Sequence, residues 1–218
     1  MILSRCLNVL IEMKALVVVD VQNDFLPGGA LEVRHGDQII PVINEIIEKF
    51  ELVIATKDWH PQNHKSFASQ HVGKNPGDRI KLKNLDQVLW PDHCVQGTEG
   101  AEFSKELDLS KIKKVFVKGI DYEIDSYSGF YDNGHLRSTG LVDYLREAMV
   151  EEIYIVGLAT DYCVKFTALD SVKEGFKTFV IADATKAVNL SPNNYKDALE
   201  EMRQAGAIIL NSDELMLD

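Results

Sequence analysis

Short apolar runs alternate along this chain with longer amphipathic stretches, and this alternation limits the possible folds more than any other feature. Six runs rich in β-branched and aliphatic residues predict strands at 15–20, 51–56, 113–118, 152–157, 177–182 and 206–210. Four amphipathic stretches between them predict helices at 38–50, 139–150, 161–175 and 193–205. The runs are almost continuously apolar, as strands buried on both faces of a parallel sheet are. The sequence therefore predicts an α/β fold with three α/β/α layers around a six-stranded, mainly parallel sheet.

The domain boundaries follow from where this pattern begins. The chain has 218 residues, enough for one domain with a substantial core. A clean strand begins at Met13, so we interpret residues 1–12 as an N-terminal extension, either disordered or packed as a short helix. Residues 13–218 are predicted to form a single domain. The stretch 57–112 is too long and too polar for a simple crossover, so we expect an insertion between the second and third strands of the sheet.

Charge and cysteine content exclude several classes of function. Lys and Arg number 23 against 34 Asp and Glu, and the net charge of −11 would repel a phosphate backbone. No apolar stretch is long enough to span a bilayer, so neither a nucleic-acid nor a membrane partner is expected. The three widely spaced cysteines form neither a disulfide framework nor a zinc-ribbon pattern. The sequence favours a cytoplasmic protein that acts on a small molecule, alone or as a homo-oligomer.

Polar residues follow several of the predicted strands at the point where each strand ends. In open parallel sheets the ligand crevice lies outside the carboxyl ends of the strands. Polar residues at strand ends are therefore the first candidates for a functional site. They are Asp20, Asp58, Lys118, residues 160–163 and Asp183. We expect them to lie close together in the folded chain.

The segment GLATDYCV at 157–164 leaves a buried strand and enters a helix. Thr160 or Asp161 is expected to cap that helix, which places Cys163 in its first turn. There the helix dipole and free backbone N–H groups would lower the pKa of the thiol and could hold an oxyanion. A buried structural cysteine is the alternative. Cys94 in WPDHCV is a second candidate thiol, although no helix start follows it.

A carboxylate and an ammonium would complete a cysteine hydrolase. The carboxylate moves the thiol proton to the leaving amine, and the ammonium holds the carboxylate and stabilises negative charge. Lys118 ends the third predicted strand, whereas Asp20 ends the first and Asp183 follows the fifth. Each residue alone is also typical of a turn or a solvated strand end. Composition and spacing cannot rank Asp20 above Asp183.

An aspartate and several histidines near the predicted insertion form a candidate metal site. Asp58 and His60 are two residues apart at the end of a strand, so both point to one side, and His93 could complete a facial set. His64 and His71 are further candidates, and solvated loop histidines are the alternative. A carboxylate with imidazoles suits Zn²⁺, Fe²⁺ or Mn²⁺. An open, substrate-binding site is favoured because no cysteine pair accompanies the histidines.

Five longer motifs occur in order between Met13 and the C-terminus. They are DVQNDFLPGGAL at 20–31, TKDWHPQNHKSF at 56–67, WPDHCVQGTEGAEF at 90–103, KGIDYEIDSYSGFYDN at 118–133 and GLATDYCVKFTALD at 157–170. Together they resemble the nicotinamidase branch of the isochorismatase-like cysteine hydrolases, whereas residues 1–12 match nothing in that family. The resemblance implies the isochorismatase-like hydrolase fold and the hydrolysis of nicotinamide to nicotinate and ammonia in NAD salvage, with pyrazinamide as a further substrate.

The resemblance also implies which residues catalyse the reaction. The triad would be Asp20, Lys118 and Cys163, which decides the choice of carboxylate that spacing left open. The reaction would pass through a thioester on Cys163. The backbone N–H groups of Ala159 and Cys163 would form the oxyanion hole, next to a cis peptide bond between Leu158 and Ala159.

A metal and an aromatic pocket are implied in the same way. One divalent metal ion, zinc before iron or manganese, would be bound by Asp58, His60 and His93, with His64 as a possible fourth ligand. The metal would face the pyridine nitrogen of the substrate. Three aromatic side chains would form walls around the ring. They are Phe25, Trp90 and Tyr127.

Other functions are compatible with part of this pattern. A related cysteine amidase for a carbamoyl or ureido substrate would keep the triad but would not need a metal that faces a pyridine. Isochorismatases proper lack the nucleophilic cysteine, so Cys163 argues against vinyl-ether hydrolysis. A non-catalytic binding protein or a nucleotide-binding module could use the same sheet. No triad member is missing, however, and the first strand is not followed by G-x-G-x-x-G.

Overall fold

The computed structural model describes residues 13–216. Eight strands lie in this part of the chain: β1 (Met13–Val19), β2 (Leu52–Asp58), β3 (Arg79–Leu82), β4 (Leu85–Val88), β5 (Ile112–Lys118), β6 (Val150–Leu158), β7 (Lys177–Lys186) and β8 (Ile208–Leu210). Four α-helices accompany them: α1 (Ile40–Ile47), α2 (Leu141–Glu147), α3 (Lys165–Lys173) and α4 (Asn194–Ala205). The extension predicted at residues 1–12 lies outside the described residues.

The six predicted strands form one sheet in the order β5-β2-β1-β6-β7-β8. Every neighbouring pair in it is parallel, so the prediction of a mainly parallel sheet is confirmed. Alternate residues of β1 point to opposite faces. Leu16 and Val18 pack in the core under α1, whereas Ala15, Val17 and Val19 pack in the core under the other three helices. The three-layer prediction is therefore confirmed as well.

Close contact between the two central strands requires a glycine. Gly157 of β6 has φ +112, a conformation that disfavours residues with a side chain. A Cβ atom placed on it would lie 2.1 Å from the backbone oxygen of Val19. This glycine allows β6 to follow β1 closely up to the point where the chain turns towards Cys163.

Helices α1, α2 and α3 are shorter than predicted, and tighter or wider turns replace the start of two of them. A 3₁₀ turn at Gly36–Ile39 precedes α1, and a π-helical turn at Thr160–Val164 precedes α3. Gly140, with φ +88, stands immediately before α2. Cys163 consequently lies in a π-helical first turn rather than in a regular α-helix.

The expected insertion lies between β2 and β5 and carries a hairpin that was not predicted. Its strands β3 and β4 pair antiparallel and form a separate two-stranded sheet. The two loop residues, Lys83 and Asn84, both have positive φ, as a two-residue type I′ turn requires. No helix within residues 13–216 has the length and apolar character needed to cross a membrane.

Candidate active site

The candidate site lies at the carboxyl ends of β1, β2, β5 and β6. Asp20 follows β1, Asp58 ends β2 and Lys118 ends β5. Cys163 lies in the helical turn after β6. The structure brings these four side chains together, and all four are buried. This is the arrangement that the carboxyl ends of adjacent parallel strands create.

Lys118 connects the four side chains. Its Nζ lies 2.8 Å from Asp20 Oδ2 and 3.3 Å from Cys163 Sγ. It also donates hydrogen bonds to Asp58 Oδ1 and, at 3.0 Å, to the carbonyl of Ser126. Its ammonium is therefore surrounded by two carboxylates, a thiol and a carbonyl. Such a set compensates the loss of water around a buried charge.

Asp20 is held in a fixed orientation beside the thiol. Its backbone is left-handed, with φ 48, a conformation that Asp tolerates better than most residues. The Thr56 hydroxyl donates to Oδ1 at 2.7 Å, which leaves Oδ2 directed at Lys118. Carboxylate oxygens of Asp20 and Asp58 and the sulfur of Cys163 all lie within 4.8 Å of one another. The Cys163 thiol also hydrogen-bonds the Asp20 side chain, so a proton can pass between the two groups.

Burial dominates the protonation of the thiol and of its candidate base. Burial raises the pKa of the Cys163 thiol well above its usual value, although the Lys118 ammonium opposes this effect. Burial also raises the pKa of Asp20. The prediction that the helix start lowers the pKa of Cys163 is therefore wrong. The structure instead favours a neutral thiol beside a carboxylate that has an increased affinity for a proton.

The turn that carries Cys163 begins without the predicted side-chain cap. Neither Thr160 nor Asp161 caps it, and Ala159 occupies the cap position. Asp161 instead accepts hydrogen bonds from the backbone N–H groups of Val188 and Asn189, at 2.9 Å each. The peptide bond between Leu158 and Ala159 is cis, as the resemblance implies. Asp161 thus holds the loop after β7 against the site rather than capping the start of the helix.

Three rival candidates lie outside this group. Asp183 is exposed in β7, where it accepts hydrogen bonds from the backbone N–H and hydroxyl of Ser212. Cys94 is buried away from the cavity wall, and its N–H donates to Asp24 Oδ2 at 2.7 Å. His71 donates from Nε2 to the Lys65 carbonyl at 2.8 Å and belongs to none of the candidate ligand groups among the described residues.

Asp58, His60 and His93 form a group suited to a metal ion. Each offers one ligand atom, and these atoms lie within 4.8 Å of one another. The Nδ1 atoms of His60 and His93 contact the carbonyls of Gly119 and Pro91 at 2.9 and 2.8 Å. Because a carbonyl only accepts hydrogen bonds, Nδ1 carries the proton and Nε2 keeps its lone pair. Both Nε2 atoms lie within 4 Å of Asp58 Oδ2, at 3.6 and 3.9 Å.

The charges in this group also fit a cation. Burial alone would raise the pKa of Asp58, but the Lys118 ammonium and His60 hold it below its usual value. Burial lowers the pKa of His93 to about 4. At His60, the attraction of the Asp58 carboxylate outweighs the effect of burial and raises the pKa of the His60 ring. A proton would therefore compete with a metal for that ring. One carboxylate with two imidazoles is a ligand set that suits Zn²⁺ and Fe²⁺.

His64 lies beside this group in a second one. It shares His60 with Asp125, again with ligand atoms within 4.8 Å. Its Nδ1 bonds the hydroxyl of Ser66 at 2.7 Å, and its buried Nε2 has no hydrogen-bond partner within residues 13–216. The structure therefore places His64 next to His60 but outside the group that contains Asp58 and His93.

Gly119 makes room for the His60 ring. A Cβ atom at Gly119 would lie 2.3 Å from that ring, and the residue has φ +66. A side chain at this position would displace His60 or strain the backbone. The glycine directly after Lys118 thus allows the triad and the metal group to share one small volume.

A cavity opens directly above Cys163. Its volume is about 350 Å³ when the open space at its mouth is included. The predicted wall residues Phe25, Trp90 and Tyr127 all line it, together with Asp58, His93, Ala159 and Cys163. Three further lining residues were not predicted, and they are Leu31, Asp125 and Val188. Tyr162, which lies within the predicted segment 160–163, also lines the cavity and packs edge-to-face on Trp90, with ring centroids 4.8 Å apart.

Comparisons with known proteins find relatives over nearly the whole chain. The Isochorismatase domain model matches residues 14–214. The chain is 47% identical to a nicotinamidase of Acinetobacter baylyi over 203 residues, which are 93% of this chain and 94% of that protein.

Two solved structures show the same architecture. An Acinetobacter baumanii nicotinamidase and pyrazinamidase superposes with a TM-score of 0.91 at 48% identity, covering 94% of this chain and 99% of that one. A Pyrococcus horikoshii pyrazinamidase in complex with zinc superposes with a TM-score of 0.75 at 42% identity, covering 91% and 98% of the two chains. Both relatives therefore match nearly the whole described fold.

Proposed function

The chain belongs to the isochorismatase family, and we propose that it is a nicotinamidase that hydrolyses nicotinamide to nicotinate and ammonia in NAD salvage. One observation carries the proposal: the Lys118 ammonium lies 2.8 Å from Asp20 and 3.3 Å from the Cys163 sulfur at the base of an aromatic cavity. A nucleophile, a base and a cation in contact are the groups that amide hydrolysis through a thioester needs. Relatives that are named nicotinamidases support the choice of substrate.

The first half of the reaction forms the thioester. Asp20 takes the proton of the Cys163 thiol, and the thiolate adds to the amide carbonyl. The backbone N–H groups of Ala159 and Cys163 stabilise the oxyanion. As the tetrahedral adduct collapses, Asp20 gives its proton to the nitrogen, the carbon–nitrogen bond breaks and ammonia leaves. Lys118 stays charged throughout and limits the cost of negative charge on its neighbours.

The second half releases the acid. A water molecule adds to the thioester while Asp20 accepts its proton. Collapse breaks the carbon–sulfur bond and returns a proton from Asp20 to the sulfur. The nicotinic acid formed loses its proton to solvent and leaves as nicotinate, and Cys163 and Asp20 regain their starting protonation. The raised pKa values of both groups suit this cycle, since each must hold a proton in turn.

Asp58, His60 and His93 are proposed to hold one divalent metal ion, with zinc as the first choice. The zinc-bound pyrazinamidase relative supports zinc, and iron or manganese would suit the same ligands. When bound, the metal would supply a Lewis acid for the pyridine nitrogen and so orient the ring. The protein residues hold their own part of the substrate. Phe25, Trp90 and Tyr127 enclose the flat faces and edges of the ring.

The same cavity would accept pyrazinamide, because a second ring nitrogen changes neither the shape nor the amide. A carbamoyl or ureido substrate is the alternative, since it needs only the triad. The aromatic walls and the Asp58 group argue against it, because a small aliphatic ureido group would leave both without a partner. The free thiols Cys94 and Cys163 support the cytoplasmic location that we propose. Assembly into a homo-oligomer stays a prediction.

Ammonia release from nicotinamide by the wild type and by Cys163→Ala tests the function. We expect release by the wild type and none above background by the variant, whose affinity for nicotinamide should persist. Cys94→Ala is the matched control, because Cys94 is also a buried thiol but does not line the cavity. Undiminished turnover by Cys163→Ala would exclude the thioester mechanism. Preferential turnover of an N-carbamoyl amino acid would favour the alternative substrate.

A further inference from the structure

Gln87 is a buried polar residue behind the cavity wall. It lies in β4 of the inserted hairpin and is only 3% exposed. Its Nε2 donates to Asp125 Oδ2 at 2.8 Å and to the Val88 carbonyl at 2.7 Å, and lies 3.0 Å from the Tyr127 hydroxyl oxygen. One amide group thus contacts two residues of the cavity wall from behind.

The same hydrogen bonds extend to a third wall residue. The indole N–H of Trp90 donates to the Tyr127 hydroxyl at 3.2 Å, so Trp90, Tyr127 and Gln87 form one chain of contacts. Asp125 is further fixed by the N–H of Ser126, which donates to Oδ1 at 2.8 Å. Rotation of either aromatic ring would therefore leave a buried polar atom without a partner. Such a loss is costly, and the network holds the walls in place.

A second cavity lies on the other side of this wall. Its volume is about 690 Å³ with its open space included, and Gln87, Tyr127 and Tyr162 all line it. Tyr127 and Tyr162 line the catalytic cavity as well. Tyr127 and Tyr162 therefore form a partition between the two cavities, and Gln87 lies behind it on the side of the second cavity. If the partition loosened, the catalytic cavity would gain room in this direction.

We propose that Gln87 is a positioning residue that fixes this partition and thereby restricts the acyl group of the substrate to a single six-membered ring. The proposal rests on the amidase function above. Gln87 does not line the catalytic cavity, so it acts through Asp125 and Tyr127. The inserted hairpin then has a definite role, because its strand β4 places the Gln87 amide behind the cavity wall.

Kinetics of Gln87→Met test the proposal, because Met has a similar length and flexibility but cannot donate. For nicotinamide we expect KM to rise about tenfold, the usual effect of losing a buried hydrogen bond, while kcat changes little because the triad is untouched. In Gln87→Met, the kcat/KM for quinoline-3-carboxamide divided by the kcat/KM for nicotinamide should be higher than in the wild type by a similar factor. Gln96→Met is the matched control: Gln96 lies in the same insertion, is exposed, and its Nε2 donates to the Trp59 carbonyl.

The outcomes separate this proposal from the function on which it rests. A wild type without nicotinamide turnover contradicts the function. If the wild type is active and folded Gln87→Met has the same KM and the same ring preference, the proposal alone is overturned. A Gln87→Met variant with a lower kcat and an unchanged KM would overturn it as well. If Gln87→Met is too unstable to assay, Tyr127→Phe, which removes only the bridging oxygen, should also raise KM. Calorimetric binding of nicotinamide to Cys163→Ala, with and without Gln87→Met, should show the same tenfold loss without turnover.

Discussion

Gln22 binds both backbone polar groups of Asp58. Its Oε1 accepts the N–H of Asp58 at 2.7 Å, and its Nε2 donates to the carbonyl of Asp58 at 2.8 Å. The same Nε2 donates to the carbonyl of Ala101 at 2.8 Å, and the side chain is fully buried. Asp58 uses one carboxylate oxygen for Lys118 and the other for the candidate metal group. Gln22 therefore fixes the residue at which the triad and the metal group meet.

Replacing Gln22 by Met is expected to weaken metal binding about 10–100-fold, the range typical for residues that orient metal ligands. The cause would be rotation of the Asp58 backbone, since Met leaves both of its polar groups without their partner. Competition of the purified apoprotein against a chromogenic chelator measures the zinc affinity directly. Gln38→Met, at an exposed position, is the control. An unchanged affinity in a folded Gln22→Met protein would contradict this role.

Removing the metal is expected to affect substrate affinity more than the chemical step. Two of the proposed metal ligands, Asp58 and His93, line the cavity, whereas the proton transfers belong to Asp20 and Cys163. Chelation should therefore raise KM for nicotinamide at least about tenfold, a loss of about 1.4 kcal/mol of binding, with a smaller change in kcat. His93→Ala should reproduce this pattern and His71→Ala should not. If a chelator that demonstrably removes the metal leaves KM unchanged, the ion does not contact the substrate.

Much of the fold could be predicted because buried parallel strands are short, almost continuously apolar runs in the sequence. All six strands of the main sheet are where their apolar runs indicate. Their spatial order could not be predicted, because apolar runs do not show which neighbours pair. The hairpin β3–β4 was missed because each of its strands has only four residues, too few for a periodic pattern to be distinctive. The Lys83-Asn84 pair between them was the available signal, since Asn accepts positive φ.

Position at strand ends made Asp20, Asp58, Lys118 and Cys163 candidates for the site. Only the family resemblance separated Asp20 from Asp183 and named the aromatic walls. Gln22 and Gln87 were not identifiable, because a glutamine carries no charge and their partners lie 36 and 38 residues away in sequence. The protonation of Cys163 was predicted wrongly, since burial outweighs the local effect of the helix start. Both failures concern long-range contacts, which no local pattern contains.

Asp20 and Asp183 offer a direct test of the proposed base. Asp20→Asn should lower kcat for nicotinamide by about 10²–10⁴, the usual contribution of a general acid–base. Asp183→Asn should leave kcat unchanged, because Asp183 is exposed and accepts hydrogen bonds from Ser212. Both substitutions remove one negative charge, so the pair controls for net charge. Equal losses in the two variants would show that charge, rather than the position of Asp20, matters.

Glu152 gives the sheet an expected dependence on pH. It is 4% exposed in β6 and accepts hydrogen bonds from the Tyr154 hydroxyl at 2.9 Å and from Lys177 at 2.5 Å. Burial alone would raise its pKa, but Lys177 and Tyr154 together lower it below the usual value. A carboxylate whose pKa is lower in the folded chain stabilises the fold above its unfolded pKa, about 4.3. That stabilisation is lost as pH falls through the folded pKa.

Glu152→Gln should therefore lower the free energy of unfolding at pH 7 by about 1–2 kcal/mol, because a charged hydrogen-bond acceptor becomes neutral. The difference from the wild type should stay constant between pH 7 and 5 and should shrink below about pH 4.3, where the unfolded carboxylate becomes protonated. Urea denaturation across this range measures both quantities. Glu151→Gln removes the same charge at the adjacent exposed position and should give little difference at any pH. A Glu152→Gln difference that grows as the pH falls would mean that burial, not Lys177 and Tyr154, controls this carboxylate.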